Sequence, residues 1–185
     1  MELTVTSREK GKKSEAKRIR RAGNIPAVLY SKGEAGVEIE VDGNEFKKIL
    51  NHVPTGTLSS KVFTLTLDGK KRKALVKDIQ YHVTTYNIVH MDFIELFDDV
   101  PVTLNIPVRC VNTVDCAGVK LGGVIRQVIR QMRVRTLPKN IPDSFELDVK
   151  AMTLGQAKRL NEIAIPDGVS AVDTLDNVAV VIARR

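Results

Sequence analysis

Only two cysteines, Cys110 and Cys116, occur in the 185 residues, which excludes a small disulfide-stapled scaffold. The five-residue gap between them, with no histidine cluster nearby, fits neither a zinc knuckle nor a redox C-x-x-C pair. Both are expected to be reduced, partly buried thiols. Long apolar runs are missing too. The longest, Val178 to Ala183, has six residues where a membrane span needs about 20, and the opening ELTVTS is strand-like rather than the apolar core of a signal peptide. The expectation is a soluble, cytoplasmic protein. Catalytic signatures are also absent: G-x-x-x-x-G-K-[ST], G-x-S-x-G and H-E-x-x-H do not occur, and Gly122-Gly123 lacks the third spaced glycine of a dinucleotide fingerprint.

What is present is ordinary globular composition, 43% hydrophobic and 28% charged, which rules out full-length disorder and collagen-like repeats. A shift in pattern near residue 97 favours two small domains over one large one. The formal charge is +7 and the pI about 9.5, a balance that suggests a polyanionic partner. Its distribution is uneven: residues 1 to 32 hold nine Lys/Arg against three Glu.

Alternation over Leu3, Val5 and Ser7 reads as a short strand. From Ser14, read as an N-cap, to Gly23, read as the C′ residue, EAKRIRRA predicts a helix of about two turns. Lys13, Lys17, Arg20 and Arg21 then share an arc of roughly 100°, widened by Arg18, while Ala16, Ile19 and Ala22 lie opposite. Strands are expected over Ile25 to Ser31 and Val37 to Val41, joined by a Gly-rich connection over 32–36. Asp42-Gly-Asn-Glu45 has capping-box spacing, and Phe46, Ile49 and Leu50 follow as the core face of a second helix whose Lys47 and Lys48 face water. A hairpin over Lys61 to Leu67 and Arg72 to Gln80 turns at Asp68-Gly69-Lys70. In a strand over Ile88 to Leu96, His90 and Asp92 share one face with Ile88 and Ile94.

From Val100-Pro101 a second series rich in Val, Ile and Pro predicts a β-rich domain edged by proline. Residues Val124 to Arg135 fit a helical period in their first part and strand alternation in their last, and the pattern does not arbitrate. A strand is expected over Phe145 to Val149, a short helix over Leu154 to Leu160, and a terminal strand over Asn177 to Ala183.

The basic arm is the strongest chemical signal. A phosphate backbone needs several cations on one surface, and a solubilising face normally mixes signs, whereas only Glu15 lies inside this helix. Tyr30, at the end of a strand just beyond it, either stacks on a base or packs plainly. His90 and Asp92 read either as a satisfied half-buried pair or as polar readers of base edges and 2′-hydroxyls. His82 reads as a loop-anchoring imidazole; with His90 and Asp92 it forms the ligand set of the rival reading, a metal-dependent hydrolase or RNA-modifying enzyme. Arg126, Arg130, Arg133 and Arg135 read as an exposed face that acids from residue 143 onward can pair. A third reading is a free-standing stress factor or chaperone.

These residues together resemble the bacterial large-subunit ribosomal protein family that binds 5S rRNA, in its two-domain form called general stress protein Ctc. The resemblance covers essentially the whole chain. It rests on Arg8-Glu-Lys-Gly-Lys-Lys13, Lys17-Arg-Ile-Arg-Arg-Ala-Gly23, Ile25-Pro-Ala-Val-Leu-Tyr30, Lys77-Asp-Ile-Gln80-Tyr-His82 and His90-Met-Asp-Phe93. In the second half it rests on Pro101-Val102, Gly118-Val-Lys-Leu-Gly-Gly-Val124, Leu137-Pro-Lys-Asn-Ile-Pro142 and Pro166-Asp-Gly168. It implies a mainly β, α+β fold: a six-stranded, barrel-like N-terminal domain over residues 1–95 that binds 5S rRNA, then a second β-rich domain over 97–185. It therefore turns Val124 to Arg135 toward strand. It further implies a structural, non-enzymatic constituent of the large ribosomal subunit, a monomer when free, needing no cofactor or metal and contacting neighbouring rRNA or ribosomal proteins. Position by position, Arg8, Lys13, Lys17, Arg18 and Arg21 match the family's basic contacts, and Tyr30, Gln80, His90 and Asp92 its polar ones. Ser31, Val83 and Lys77 depart from common family residues.

Overall fold

The period-2 segments of the first half pair into a closed barrel. In the computed structural model, which describes residues 1–8, 13–31, 35–54, 56–67 and 69–184, six strands appear there: β1 (Glu2–Ser7), β2 (Ile25–Tyr30), β3 (Val37–Val41), β4 (Val62–Leu67), β5 (Lys70–Tyr81) and β6 (Ile88–Glu95). Part of the 32–36 connection, Asp68 of the hairpin turn, and Lys10 and Lys12 of the basic arm lie outside the described residues. The strand order is β1-β3-β2-β6-β5-β4, closed by parallel pairing of β1 with β4. Alternation puts Leu3, Val5, Leu29, Ile39, Leu65 and Met91 inside. Phe63 lies between Phe46 and Phe93, with ring centroids 6.3 and 6.2 Å away and an edge-on approach to Phe93.

Two helices accompany the barrel, α1 (Lys13–Arg21) and α2 (Gly43–His52). The helix α1 starts one residue before Ser14, which is therefore not its N-cap. Its C-terminus closes as expected: Gly23 stands at φ 88°, its N–H donates to the Arg20 carbonyl at 3.2 Å, and the Asn24 N–H donates to Ile19 at 3.1 Å, a Schellman closure. In α2 the Asp42 carboxylate accepts from the Asn44 and Glu45 N–H groups at 2.7 and 3.2 Å. Only that half of the expected box forms, because the Glu45 carboxylate instead accepts from Thr4 N–H on β1 at 3.2 Å. Gly43 permits the two helix ends to meet: a Cβ there would clash with the Gly23 carbonyl oxygen.

The chain divides into two compact units, Met1–Val100 and Pro101–Arg185. The second contains a four-stranded sheet in the order β10-β7-β9-β12 and a three-stranded sheet in the order β11-β13-β8. The ranges are β7 (Val102–Val111), β8 (Val124–Gln127), β9 (Gln131–Thr136), β10 (Phe145–Asp148), β11 (Ala157–Arg159), β12 (Val169–Ala171) and β13 (Val178–Ala183), with one helical turn α3 (Ala117–Lys120). Residues 124–135 are thus two strands, broken where the Gln127 amide donates to the Val108 and Ile129 carbonyls. The helix expected over 154–160 does not form. Its backbone is engaged by β13 instead: Gly155 N–H donates to the Ile182 carbonyl, Ile182 N–H to Gln156, and β11 pairs beyond. Cys110 is half-buried and Cys116 buried, and both are free thiols; burial pushes the Cys110 thiol pKa up.

Candidate nucleic-acid interface

The polar residues singled out in the sequence lie on adjacent strands of the barrel. Gln80 on β5 is directly opposite His90 on β6, Asp78 is opposite Asp92, and Val28 on β2 flanks Asp92 from the other side. Tyr30 is two residues past Val28, on the same face, and is 43% exposed. His90 Nδ1 lies 3.0 Å from Asp92 Oδ1, as i, i+2 neighbours on one face allow, and both side chains are about three-quarters buried. With the carboxylate ionised, Nδ1 carries the proton. In that tautomer the neutral ring presents Nε2 as an acceptor.

Two bulges shape this face. Lys77 is the extra residue between Val76 and Asp78, so the buried run Ala74-Leu75-Val76 is followed by two exposed charges. That break in alternation is a readable signal, and it places Asp78, absent from the sequence-derived set, opposite Asp92. The second bulge makes Val89 the extra residue of β6, since Gln80 pairs with His90 but Tyr81 with Ile88. Arg20 Nε donates to the Val89 carbonyl at 3.0 Å. The helix α1 is therefore tied to the strand that carries His90 and Asp92, with Ile19, 3% exposed, as its apolar anchor.

This changes the account of the basic arc. Arg20 is a strut in it, not a free cation. Arg8 is engaged as well: its guanidinium lies 2.8 Å from Glu38 and donates through Nε to the Ile39 carbonyl at 3.3 Å, leaving its side chain 12% exposed. Arg18 is 79% exposed and makes only a loose 3.7 Å pair with Glu15. Lys17 and Arg21 are exposed and have no ionic partner among the described residues. Lys13 opens α1, and its side chain lies outside the described residues. Arg18 and Arg21 also sit in the last helical turn, where the helix dipole favours cations.

Beside α1 a groove of about 330 Å³ runs to the turn between β5 and β6, lined in part by Arg20, Asn24, Lys47, His82 and Asn87. His82 anchors that turn, its Nδ1 lying 3.1 Å from Thr84 Oγ1 and accepting from Thr85 N–H at 3.4 Å. Among the described residues no three His, Cys, Asp or Glu are grouped to hold a metal, so His82, His90 and Asp92 do not form the rival ligand set. The arrangement that does exist is a polar strip of donors and acceptors beside a short cationic helix, suited to ribose hydroxyls and phosphates.

Both halves of the chain match ribosomal families. Residues 3–93 match the Ribosomal L25p family, and residues 101–185 match the C-terminal domain of ribosomal protein TL5. Over 100% of both chains, the sequence is 55% identical to the large ribosomal subunit protein bL25 of Chlamydia muridarum, 54% to that of Chlamydia pneumoniae and 56% to that of Chlamydia trachomatis serovar D. The barrel, its polar strip and these matches define a structural, non-enzymatic protein of the bacterial large ribosomal subunit. The chain belongs to the ribosomal L25p family, in the two-domain form that carries a TL5-type C-terminal domain.

Proposed function

We propose that this chain is held in the large subunit of the cytoplasmic ribosome by docking its first domain, about residues 1–95, on 5S rRNA, and that the second, about 97–185, contacts neighbouring rRNA or protein. The free protein is a monomer and needs no cofactor. Lys17, Arg18 and Arg21 supply salt-sensitive affinity by displacing counterions from phosphates. Tyr30, Gln80, His90 and Asp92 select an irregular, widened minor groove and its 2′-hydroxyls, with Tyr30 presenting a ring to bases or riboses. The observation that carries this reading is the adjacency of Gln80, His90 and Asp92 on β5 and β6, joined to the cationic helix through the Arg20–Val89 bond.

A salt series against 5S rRNA and an unrelated duplex tests it. Arg18→Ala should weaken binding to both and flatten the salt slope, because a phosphate contact carries no sequence information. Asp92→Ala should mainly erode the preference for 5S rRNA. Equal losses on both RNAs for Asp92→Ala, with melting temperature unchanged, remove Asp92 from the readout set.

A further inference from the structure

We propose that the outer face of the four-stranded sheet in the second domain is a separate RNA-binding surface, on which Arg133 and Arg135 grip backbone phosphates. This rests on the reading that the second domain contacts neighbours in the subunit, and it selects RNA over protein. Between Asp115 and Asp143 there is no acidic residue, while six Lys/Arg occur. The sequence suggested that acids from residue 143 onward pair with the arginines. They do not: among the described residues, Arg126, Arg130, Arg133 and Arg135 have no carboxylate partner. Asp173 does come close, but its Oδ2 accepts from the Arg133 main-chain N–H at 2.7 Å, not from a guanidinium.

Strand parity decides where these side chains go. Met132, Val134 and Thr136 are buried, so Gln131, Arg133 and Arg135 stand outward, and all three are exposed. Opposite them in register are Asn105 for Arg133 and Thr103 for Arg135 on β7, with Ser170 beside Arg135 on β12. Two arginines whose Cα atoms are about 6.6 Å apart along one strand therefore stand outward, Arg135 between Thr103 and Ser170, and Arg133 between Asn105 and the Val172–Asp173 segment that follows β12. Guanidinium forks match phosphate oxygens in two-point hydrogen bonds, and two of them on one strand face can take neighbouring phosphates. Protein interfaces use arginine too, but alongside tryptophan and tyrosine in well-packed, desolvated pockets, whereas the residues opposite these arginines in register are the exposed polar Thr103, Asn105 and Ser170. Within β7, β9 and β12 no large apolar side chain is exposed, while Leu137 and Val172, immediately past β9 and β12, are. Arg130, also exposed, immediately precedes β9, and the exposed Arg126 lies on β8 of the three-stranded sheet.

The experiment uses the full chain carrying Arg18→Ala and Arg21→Ala, so that the barrel cations do not mask the second face. Its affinity for a regular double-stranded RNA is measured between roughly 50 and 200 mM salt, before and after adding Arg133→Gln with Arg135→Gln. The added pair should reduce the magnitude of the log-log salt slope by about 1.8, at about 0.9 per lost phosphate contact, and Arg133→Lys with Arg135→Lys should retain most of it. Unchanged affinity and slope, with unchanged melting, overturn the proposal. So does intact duplex binding combined with weaker attachment to large-subunit particles, which assigns the face to a protein neighbour. Failure of the 5S reading appears separately, as no preference of the unsubstituted chain for 5S rRNA over the duplex.

Discussion

Arg20 and Arg21 are adjacent in sequence and share one basic arc, yet the structure assigns them different work, and Arg20→Ala separates the two. Arg20 Nε donates to the Val89 carbonyl that the β6 bulge removes from the ladder, at 3.0 Å. An exposed hydrogen bond of this kind contributes about 1 kcal/mol, so its loss allows α1 to shift relative to His90 and Asp92. If that loss is felt fully in RNA docking, affinity for 5S rRNA falls about fivefold. The salt slope should stay unchanged, because no phosphate contact is lost. Arg21 is exposed without an ionic partner among the described residues, and Arg21→Ala should reduce the magnitude of that slope by about 0.9. The assay is 5S rRNA binding over a salt series with the two variants in parallel. Equal slope losses for both would show that Arg20 touches phosphate and would refute the strut.

Gly43→Ala should destabilise the barrel even though alanine is the better helix former by up to about 1 kcal/mol. The added Cβ would clash with the Gly23 carbonyl oxygen, so a net cost of about 1–3 kcal/mol is expected as a lower calorimetric midpoint; an unchanged midpoint contradicts the close approach. Phe93→Ala removes a fully buried ring that meets Phe63 edge-on, and should cost about 3–5 kcal/mol in urea unfolding. In the second domain, the Lys150 main-chain N–H and then the Asn112 amide hold the Asp148 carboxyl below the usual aspartate range. A depressed folded pKa means that its contribution is present above the unfolded value, about 3.9, and is lost as pH falls through the folded one. Asp148→Asn should therefore lower stability modestly at neutral pH and flatten the acid limb, so that the two profiles, measured by chemical denaturation, converge below about pH 4; an unchanged neutral stability refutes the contribution.

Much of the barrel is legible in the chain itself, because a half-buried strand writes its orientation as alternation. Leu3 and Val5, Phe63, Leu65 and Leu67 of β4, and Met91 with Phe93 all fall inside as their period requires. The same period places His90 and Asp92 on one face, and the chemistry of glycine at positive φ marks the end of α1 at Gly23. Local pattern has no access to partners distant in sequence. The backbone over 155–159 joins β13 rather than a helix, and residues 124–135 become two strands, because hydrogen bonds to remote carbonyls and amides outweigh a short helical period. Charge shows the same division. Sequence counts Arg8, Arg20, Arg21, Arg133 and Arg135 alike as cations. Only tertiary structure engages Arg8 with Glu38 and Arg20 with a bulge carbonyl while leaving the other three without a carboxylate partner among the described residues, since what a cation can bind depends on which acceptors the fold has already brought within reach.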